Sequence, residues 1–464
     1  MSLIDSVMFS GNSENLILNL NDSSKSDYKI KIEKIFSRIK KDELVLILMN
    51  NSFESFFGFH VGLENEISMI LLDYSVNEDV LKNILELYHP QWLWLPHEKT
   101  FSSTESYVLL NYRLNRSEYL SSINISKYRN LLLSTSGSTG SPKFVRISYE
   151  NLYANAHSIS TYLNIKKTDV TITNLPLSYS FGLSVVNSHL LAGSKVVFTD
   201  YSVVQKEFWD LVKEHKVTSL FGVPYTFEIL DKMRFFRMDL PHLRLIGQAG
   251  GRMNPLLQEK YIAFCTQKGI EYYTMYGQTE ATARMSFVPP HMAKEKLGSI
   301  GIPIPGGRFE LRDENNQVIE ATDSVGELVY LGPNVSLGYA TCREDLMKGD
   351  ENEGLLYTGD LARRDNDGYY YLVGRKNRFL KLFGNRVSLQ DLEDKLQELG
   401  IESVCGGTDD KLIAYTTVAD KMEFISTWLS DVTAIHRSAF EVKYIDRIPR
   451  NSSGKILYKE LFGE

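Results

Sequence analysis

Between residues 43 and 276, short apolar runs alternate with longer segments whose apolar residues recur at helical spacing. The runs at 44–49 and 67–73 are strand-sized, and the segments at 53–63 and 77–88 have helical length and period. The alternation returns as strands at 195–198, 219–223, 243–246 and 271–276, with helices at 204–215, 225–235 and 255–268. Such alternation predicts parallel sheets covered by helices. After about residue 298, Gly and Pro become frequent, as in GSIGIPIPGG and GELVYLGPN. Short β-rich runs between these turns predict a small antiparallel sheet or distorted barrel up to about residue 373, with Asp367-Gly368 as a hairpin turn. Beyond Gly374, helical patterns at 389–399 and 421–429 and strand patterns at 412–417 and 440–445 predict a compact α+β unit. The expected fold class is α/β. A large N-terminal domain (1–374) of parallel α/β subdomains carries a small β-barrel-like subdomain, and a small α+β C-terminal domain spans 375–464. The basic stretch 374–378 is the candidate linker.

Composition narrows the function without naming it. Of 464 residues, 43% are hydrophobic and 23% charged, the profile of a soluble globular chain. A net charge of −7 argues against a broad nucleic-acid or acidic-membrane surface. Cys265, Cys342 and Cys405 are far apart and form no CxxC pair, as expected for reduced thiols in a cytoplasmic protein. The N-terminus shows no secretory pattern, and the longest apolar runs are too short to span a bilayer, so no integral membrane association is expected. HExxH and GxSxG are both missing from the sequence, which disfavours a zinc protease and a serine hydrolase.

The strongest local signal is LLLSTSGSTGSPK at 131–143. Three leucines end a strand, and then Thr135, Ser136, Gly137, Ser138, Thr139, Gly140 and, after Ser141-Pro142, Lys143 follow. Small residues let backbone N–H groups turn inward, hydroxyls add donors, and lysine adds charge, a combination suited to a polyphosphate. It is not a Walker loop, since GxxxxGK is absent. A flexible Ser/Gly linker is the bland alternative, which the preceding strand and the Pro-Lys ending disfavour.

TSGSTGSPK closely resembles the phosphate loop of the adenylate-forming superfamily, which includes acyl- and aryl-CoA ligases, stand-alone adenylation domains and luciferases. Four further segments resemble motifs of that family in the same order. They are Tyr276-Gly277-Gln278-Thr279-Glu280, Tyr357-Thr358-Gly359-Asp360, GRKNRFLKLFG at 374–384, and PRNSSGK at 449–455. The resemblance spans roughly residues 40–460.

It implies ATP-dependent conversion of a carboxylic acid to an acyl-AMP, then transfer to a thiol, either CoA or the phosphopantetheine of an acyl-carrier protein. Glu280 is implied as the Mg2+ ligand, Thr279 as the α-phosphate contact and Lys455 as the catalytic cation. Asp360 would accept the ribose hydroxyls, although a turn-capping aspartate would look the same without the family match. Arg375 would contact ribose or phosphate, and Tyr276, Gly277 and Gln278 would line the nucleotide site. The loop at Ala249, Gly250 and Gly251 either lies along the adenine or is an ordinary turn. The C-terminal domain is implied to rotate about a hinge aligned at Asn377, where relatives carry Asp or Lys. Gly384 would then approach the thiol tunnel. Arg378, Lys381 and Arg386 either hold an anionic thiol donor or form a solvated basic face.

The segment LPLSYSFGLSV at 175–185 matches the start of the family's acyl pocket. Amino-acid-activating relatives have an Asp aligned at Gly182, and its absence disfavours α-amino acids. Tyr179, Ser184 and Phe221 are the candidate acid-pocket residues. Only about 20 residues separate Gly306 from Gly326, leaving no room for the insertion that blocks rotation in fatty-acyl-AMP ligases. A luciferase-like oxidoreductase and a non-catalytic adenylate-binding module are the competing readings. Retention of Glu280, Asp360, Arg375 and Lys455 argues against the second.

Overall fold

The structure, a computed structural model, describes residues 16–17, 31, 33–99, 101, 103–109, 111–119, 130–134, 143–376, 378–383, 385–408, 410–450 and 456–463. Two eight-stranded sheets dominate it. In one, Leu44–Met49, Ser68–Asp73, Trp92–Pro96 and Asn130–Ser134 run parallel at the centre, and antiparallel strands close both flanks. In the other, the parallel strands Val170–Ile172, Lys195–Val197, Ser219–Gly222, Leu245–Gln248 and Glu271–Tyr276 are followed by antiparallel Ser286–Val288. Both sheets are thus mixed, with the parallel cores that the apolar runs predicted.

Each run is apolar throughout because both of its faces are covered. Val45, Ile47 and Met49 join one hydrophobic cluster, and their neighbours Leu44, Leu46 and Leu48 join another. Leu220, Ile246 and Tyr272 face one side of the second sheet, and Phe221, Leu245 and Tyr273 the other. The helices Phe53–Glu64, Tyr149–Tyr162 and Ser180–Leu191 pack in the layer between the sheets. Lys206–Glu214, Pro224–Lys232 and Pro255–Lys268 cover the far face of the second sheet.

Element boundaries shift where turn bonds intervene. The strand expected from 243 starts at Leu245, because the Leu243 N–H closes a turn onto Leu240 O at 3.1 Å. The Gly-rich region forms a four-stranded antiparallel sheet from Arg308–Arg312, Gly326–Leu331, Leu355–Arg364 and Tyr370–Arg375. Asp367-Gly368 lies in the turn joining its last two strands, where the Gly368 N–H reaches Asp365 O at 3.1 Å. Asp360 pairs with Arg375 in register, and an irregularity between Leu361 and Ala362 follows at once. Further along, Leu380, Leu392, Leu412, Ile425 and Phe440 belong to a cluster of their own around a three-stranded sheet.

Candidate active site

The strand Glu271–Tyr276 ends in a segment, 276–280, from which side chains reach three other parts of the fold. Gly277 makes the turn possible, because a Cβ there would sit 1.8 Å from Ala283 O. Tyr276 donates its hydroxyl to Asp360 Oδ2, and Gln278 Nε2 donates to the same oxygen at 3.0 Å and to Thr358 O at 3.0 Å. Arg375 Nε donates to Asp360 Oδ1 at 2.9 Å. Asp360 is only 2% exposed, and a carboxylate so far from water needs such partners. Burial and the adjacent Asp360 charge push the Tyr276 phenol well above its usual range, so it stays a donor. A carboxylate offers about four lone-pair directions, so Asp360 retains acceptor capacity toward a vicinal diol.

Two residues on, Thr279 is buried with its Oγ1 3.2 Å from Ser180 Oγ, at the start of the helix Ser180–Leu191. Glu280 follows. Its Oε1 accepts a hydrogen bond from Tyr339 OH at 2.9 Å, and Lys143 Nζ lies 3.5 Å from the centre of the Tyr339 ring. The tyrosine thus carries a carboxylate at its tip and a cation on its face. The next residues are held firmly. Asn334 Nδ2 donates to Ala281 O at 2.8 Å and to Arg284 O at 3.2 Å, and Thr282 adopts φ +65° with its hydroxyl donating to Asn334 O at 2.7 Å. Such backbone strain collects where a segment is over-determined by its surroundings.

Around this segment the remaining candidates separate. Ala249 is buried, Gly250 has φ +83°, and Gln248 Nε2 donates to Gly251 O at 2.8 Å, closing the loop after the strand Leu245–Gln248. Tyr179 caps the helix Ser180–Leu191 and is half-buried. Ser184 lines a small cavity, with its hydroxyl donating to Phe181 O at 2.7 Å. Phe221 is buried with its ring edge-on to Phe181. Thr135, Ser136, Gly137, Ser138, Thr139, Gly140, Asn377, Gly384 and Lys455 lie outside the described residues.

One sequence reading is corrected. Arg378 is no open anchor for an anionic thiol donor, because its guanidinium meets Glu393 at 2.7 and 3.0 Å, Gln390 at 2.8 Å, Tyr458 OH at 2.9 Å and Cys405 O at 3.0 Å. Glu393 in turn accepts from the Cys405 N–H at 2.7 Å, so the pair belongs to the interior of this region. Sequence reasoning also missed Tyr339 and Asn334. Neither sits in a spaced motif, and each matters only through a contact some 50 or more residues away in the chain.

The buried Asp360 carboxylate, the tyrosine-bound Glu280 and Lys143, which directly precedes the strand Phe144–Ser148, are thus linked through the segment 276–280 of an α/β fold. A family model described as "AMP-binding enzyme" matches residues 130–340. The 2-succinylbenzoate–CoA ligase of Bacillus cereus (strain Q1) is 28% identical over 347 residues, covering 71% of this chain and 69% of the relative. That of Bacillus subtilis (strain 168) is 25% identical over 443 residues, covering 91% and 88%. The solved O-succinylbenzoate coenzyme A synthetase from Bacillus subtilis in complex with AMP shares the fold, with a TM-score of 0.75 and 23% identity over 96% of this chain and 94% of that one. Residues 130–340 thus match the AMP-binding enzyme family, and the chain over most of its length is similar to 2-succinylbenzoate–CoA ligases.

Proposed function

We propose that this chain is an AMP-forming acid–thiol ligase that activates a carboxylic acid with ATP and passes the acyl group to CoA. The carrying observation is the convergence on Tyr276–Glu280 of Asp360 and of the Tyr339–Lys143 pair. In the first half-reaction, a carboxylate oxygen attacks the α-phosphorus and pyrophosphate leaves. In the second, a thiol sulfur attacks the acyl carbon and AMP leaves.

Asp360 binds the ribose hydroxyls, with Tyr276, Gln278 and Arg375 fixing its orientation. Thr279, positioned by Ser180, donates to the α-phosphate. Glu280 is a hard oxygen donor with one oxygen already oriented by Tyr339, which fits a magnesium ion. Among the described residues no group of three or more His, Cys, Asp or Glu is placed to hold a metal. A single carboxylate supplemented by phosphate oxygens and water is the usual arrangement for Mg2+, which supplies charge neutralisation of the phosphates when bound. Lys143 adds positive charge beside Glu280. Lys455 supplies the cation for the charge gathering between carboxylate and α-phosphate.

The relatives named above carry 2-succinylbenzoate and CoA in their names, which supports CoA over a carrier-bound phosphopantetheine as acceptor. Among the described residues no helix is long and apolar enough to cross a membrane. The test is acid-dependent pyrophosphate release across aliphatic, aromatic and hydroxy acids, with and without CoA. Lys455→Ala serves as the control, and it should lose on the order of a hundredfold in adenylation rate while remaining folded. Pyrophosphate release by that variant at the wild-type rate would remove Lys455 from the mechanism.

A further inference from the structure

Tyr339 begins the short strand Tyr339–Ala340, which pairs antiparallel with Phe144–Ser148 and sets Tyr339 opposite Val145. It is thus fixed beside the strand that follows Lys143. The residues before it are tied to the other side of the site. The Ser336 N–H donates to Glu280 O at 2.8 Å, and Asn334 Nδ2 donates to Ala281 O at 2.8 Å. Beneath this segment the buried Arg146 donates to Leu337 O at 2.8 Å, to Tyr339 O at 3.1 Å and to Glu351 Oε2 at 2.6 Å. Gly338, at φ +116°, lets the chain cross that ion pair, because a Cβ there would lie 2.6 Å from Glu351 Oε2. Residues 334–340 therefore form a strap between Lys143 and Glu280. The tyrosine is placed by its backbone, which leaves its hydroxyl and ring face for other contacts. The hydroxyl donates to Glu280 Oε1 at 2.9 Å, and Glu280 Oε2 has no hydrogen-bond partner among the described residues. The ring face carries Lys143 Nζ at 3.5 Å from its centre.

We infer that Tyr339 determines the metal specificity of this site: by occupying Oε1 it confines Glu280 to ligation through one oxygen, and so selects Mg2+ over Ca2+. The inference rests on the ligase reading above. Ca2+ takes a larger, flexible shell of oxygens and accepts both oxygens of one carboxylate, whereas Mg2+ demands octahedral angles and keeps several of its waters. A glutamate with both oxygens open serves either ion. One whose Oε1 already accepts from a phenol offers a single oxygen in a fixed orientation. That suits the smaller ion and withholds a ligand from the larger. Among the described residues no group of three or more His, Cys, Asp or Glu makes up the difference. The ring acts separately from the hydroxyl. It holds the Lys143 cation beside the carboxylate, where the phosphates of a metal-bound nucleotide would meet both charges.

The experiment compares Tyr339→Phe, which keeps the ring and removes the hydroxyl, with Tyr339→Leu, which removes both. Thermal shift is titrated with ATP in excess Mg2+, in excess Ca2+ and in EDTA, and acid-dependent pyrophosphate release is measured with each ion. The wild type should reach half-saturation at less ATP in Mg2+ than in Ca2+. Tyr339→Phe should narrow that ratio about tenfold, the worth of one hydrogen bond to a charged group. Its response to ATP in EDTA should match that of the wild type, because Lys143 keeps its ring. Tyr339→Leu should show the same narrowed ratio and, in addition, bind ATP about threefold more weakly in EDTA. A wild type without metal preference, or an unchanged Mg2+/Ca2+ ratio in Tyr339→Phe with the melting temperature or kcat merely lowered, would leave Tyr339 a part of the fold alone. Either result would overturn the inference while leaving the ligase reading intact. No acid-dependent pyrophosphate release by the wild type with either ion would overturn the ligase reading, and this inference with it.

Discussion

A carboxylate withdrawn from water has to be matched, and Asp360 is matched by Tyr276, Gln278 and Arg375. Their combined geometry turns a residue that could cap any tight turn into an oriented acceptor. Asp360→Asn keeps the shape and removes the charge. It should raise the ATP KM and lower kcat/KM on the order of a hundredfold, since two hydrogen bonds to a charged group are weakened. An unchanged ATP KM in steady-state kinetics would argue against ribose binding at this position. Arg378 teaches the converse. In the sequence it stands among basic residues in a glycine-bounded linker, yet the fold draws it inward to Glu393, and burial alone would not have revealed which charges find partners.

At the scale of elements, the helix Ser180–Leu191 is the most informative. All of Ser180–Leu190 is buried, because the helix runs between two sheets and has no solvent face. Several of its polar residues make internal contacts, such as Ser180 to Thr279 and His189 to Ser219, whereas the Asn187 side chain has no hydrogen-bond partner among the described residues. Gly182 is fixed by packing as well as by chemistry, since a Cβ there would lie 2.3 Å from Pro176 O and 2.9 Å from Leu175 O. Installing the aspartate of amino-acid-activating relatives should therefore fail. Gly182→Asp is expected to destabilise by roughly 3 kcal/mol in denaturant titrations, the upper range for overpacking, and to confer no amino-acid-dependent pyrophosphate exchange. A stable, amino-acid-activating variant would show that the entry segment Leu175-Pro176 yields.

For the whole molecule, the layer between the sheets makes stability depend on pH. His189 is fully buried there, and the carbonyl of Val185 can only accept, so Nδ1 carries the proton at 2.7 Å and Nε2 accepts from Ser219 Oγ at 2.9 Å. Burial lowers its pKa from 6.5 to about 4. The unfolded chain therefore binds a proton that the folded chain refuses across that window, so stability is complete above about pH 6.5 and falls as pH drops toward 4. The loss between pH 7 and pH 5 should be about 2 kcal/mol from this group. His189→Asn should flatten that part of the profile when denaturant midpoints are compared. An equally steep profile in the variant would assign the acid sensitivity to other groups.

Much of this was legible in the chain itself. Apolar runs long enough for a strand and too short for a helix predicted the parallel cores, because a strand covered on both faces has no reason to alternate. Five ordered motifs carried the resemblance that implied the nucleotide chemistry, since each is a run of a few neighbouring residues that can be read before the chain folds. Contacts across tens to hundreds of residues were not legible. Tyr339 reaches Glu280, Ser180 reaches Thr279, and Arg378 is consumed by Glu393, and no local pattern encodes those meetings. Tyr339 is the sharpest case. In the sequence it belongs to none of the motifs, and only the fold sets a carboxylate at its hydroxyl and a lysine on its ring. The sequence by itself carried the motifs whose resemblance implied the chemistry, because each motif is a short local run of residue types. Tertiary structure decided which charges remain available for a ligand, because burial and pairing exist only once distant segments meet.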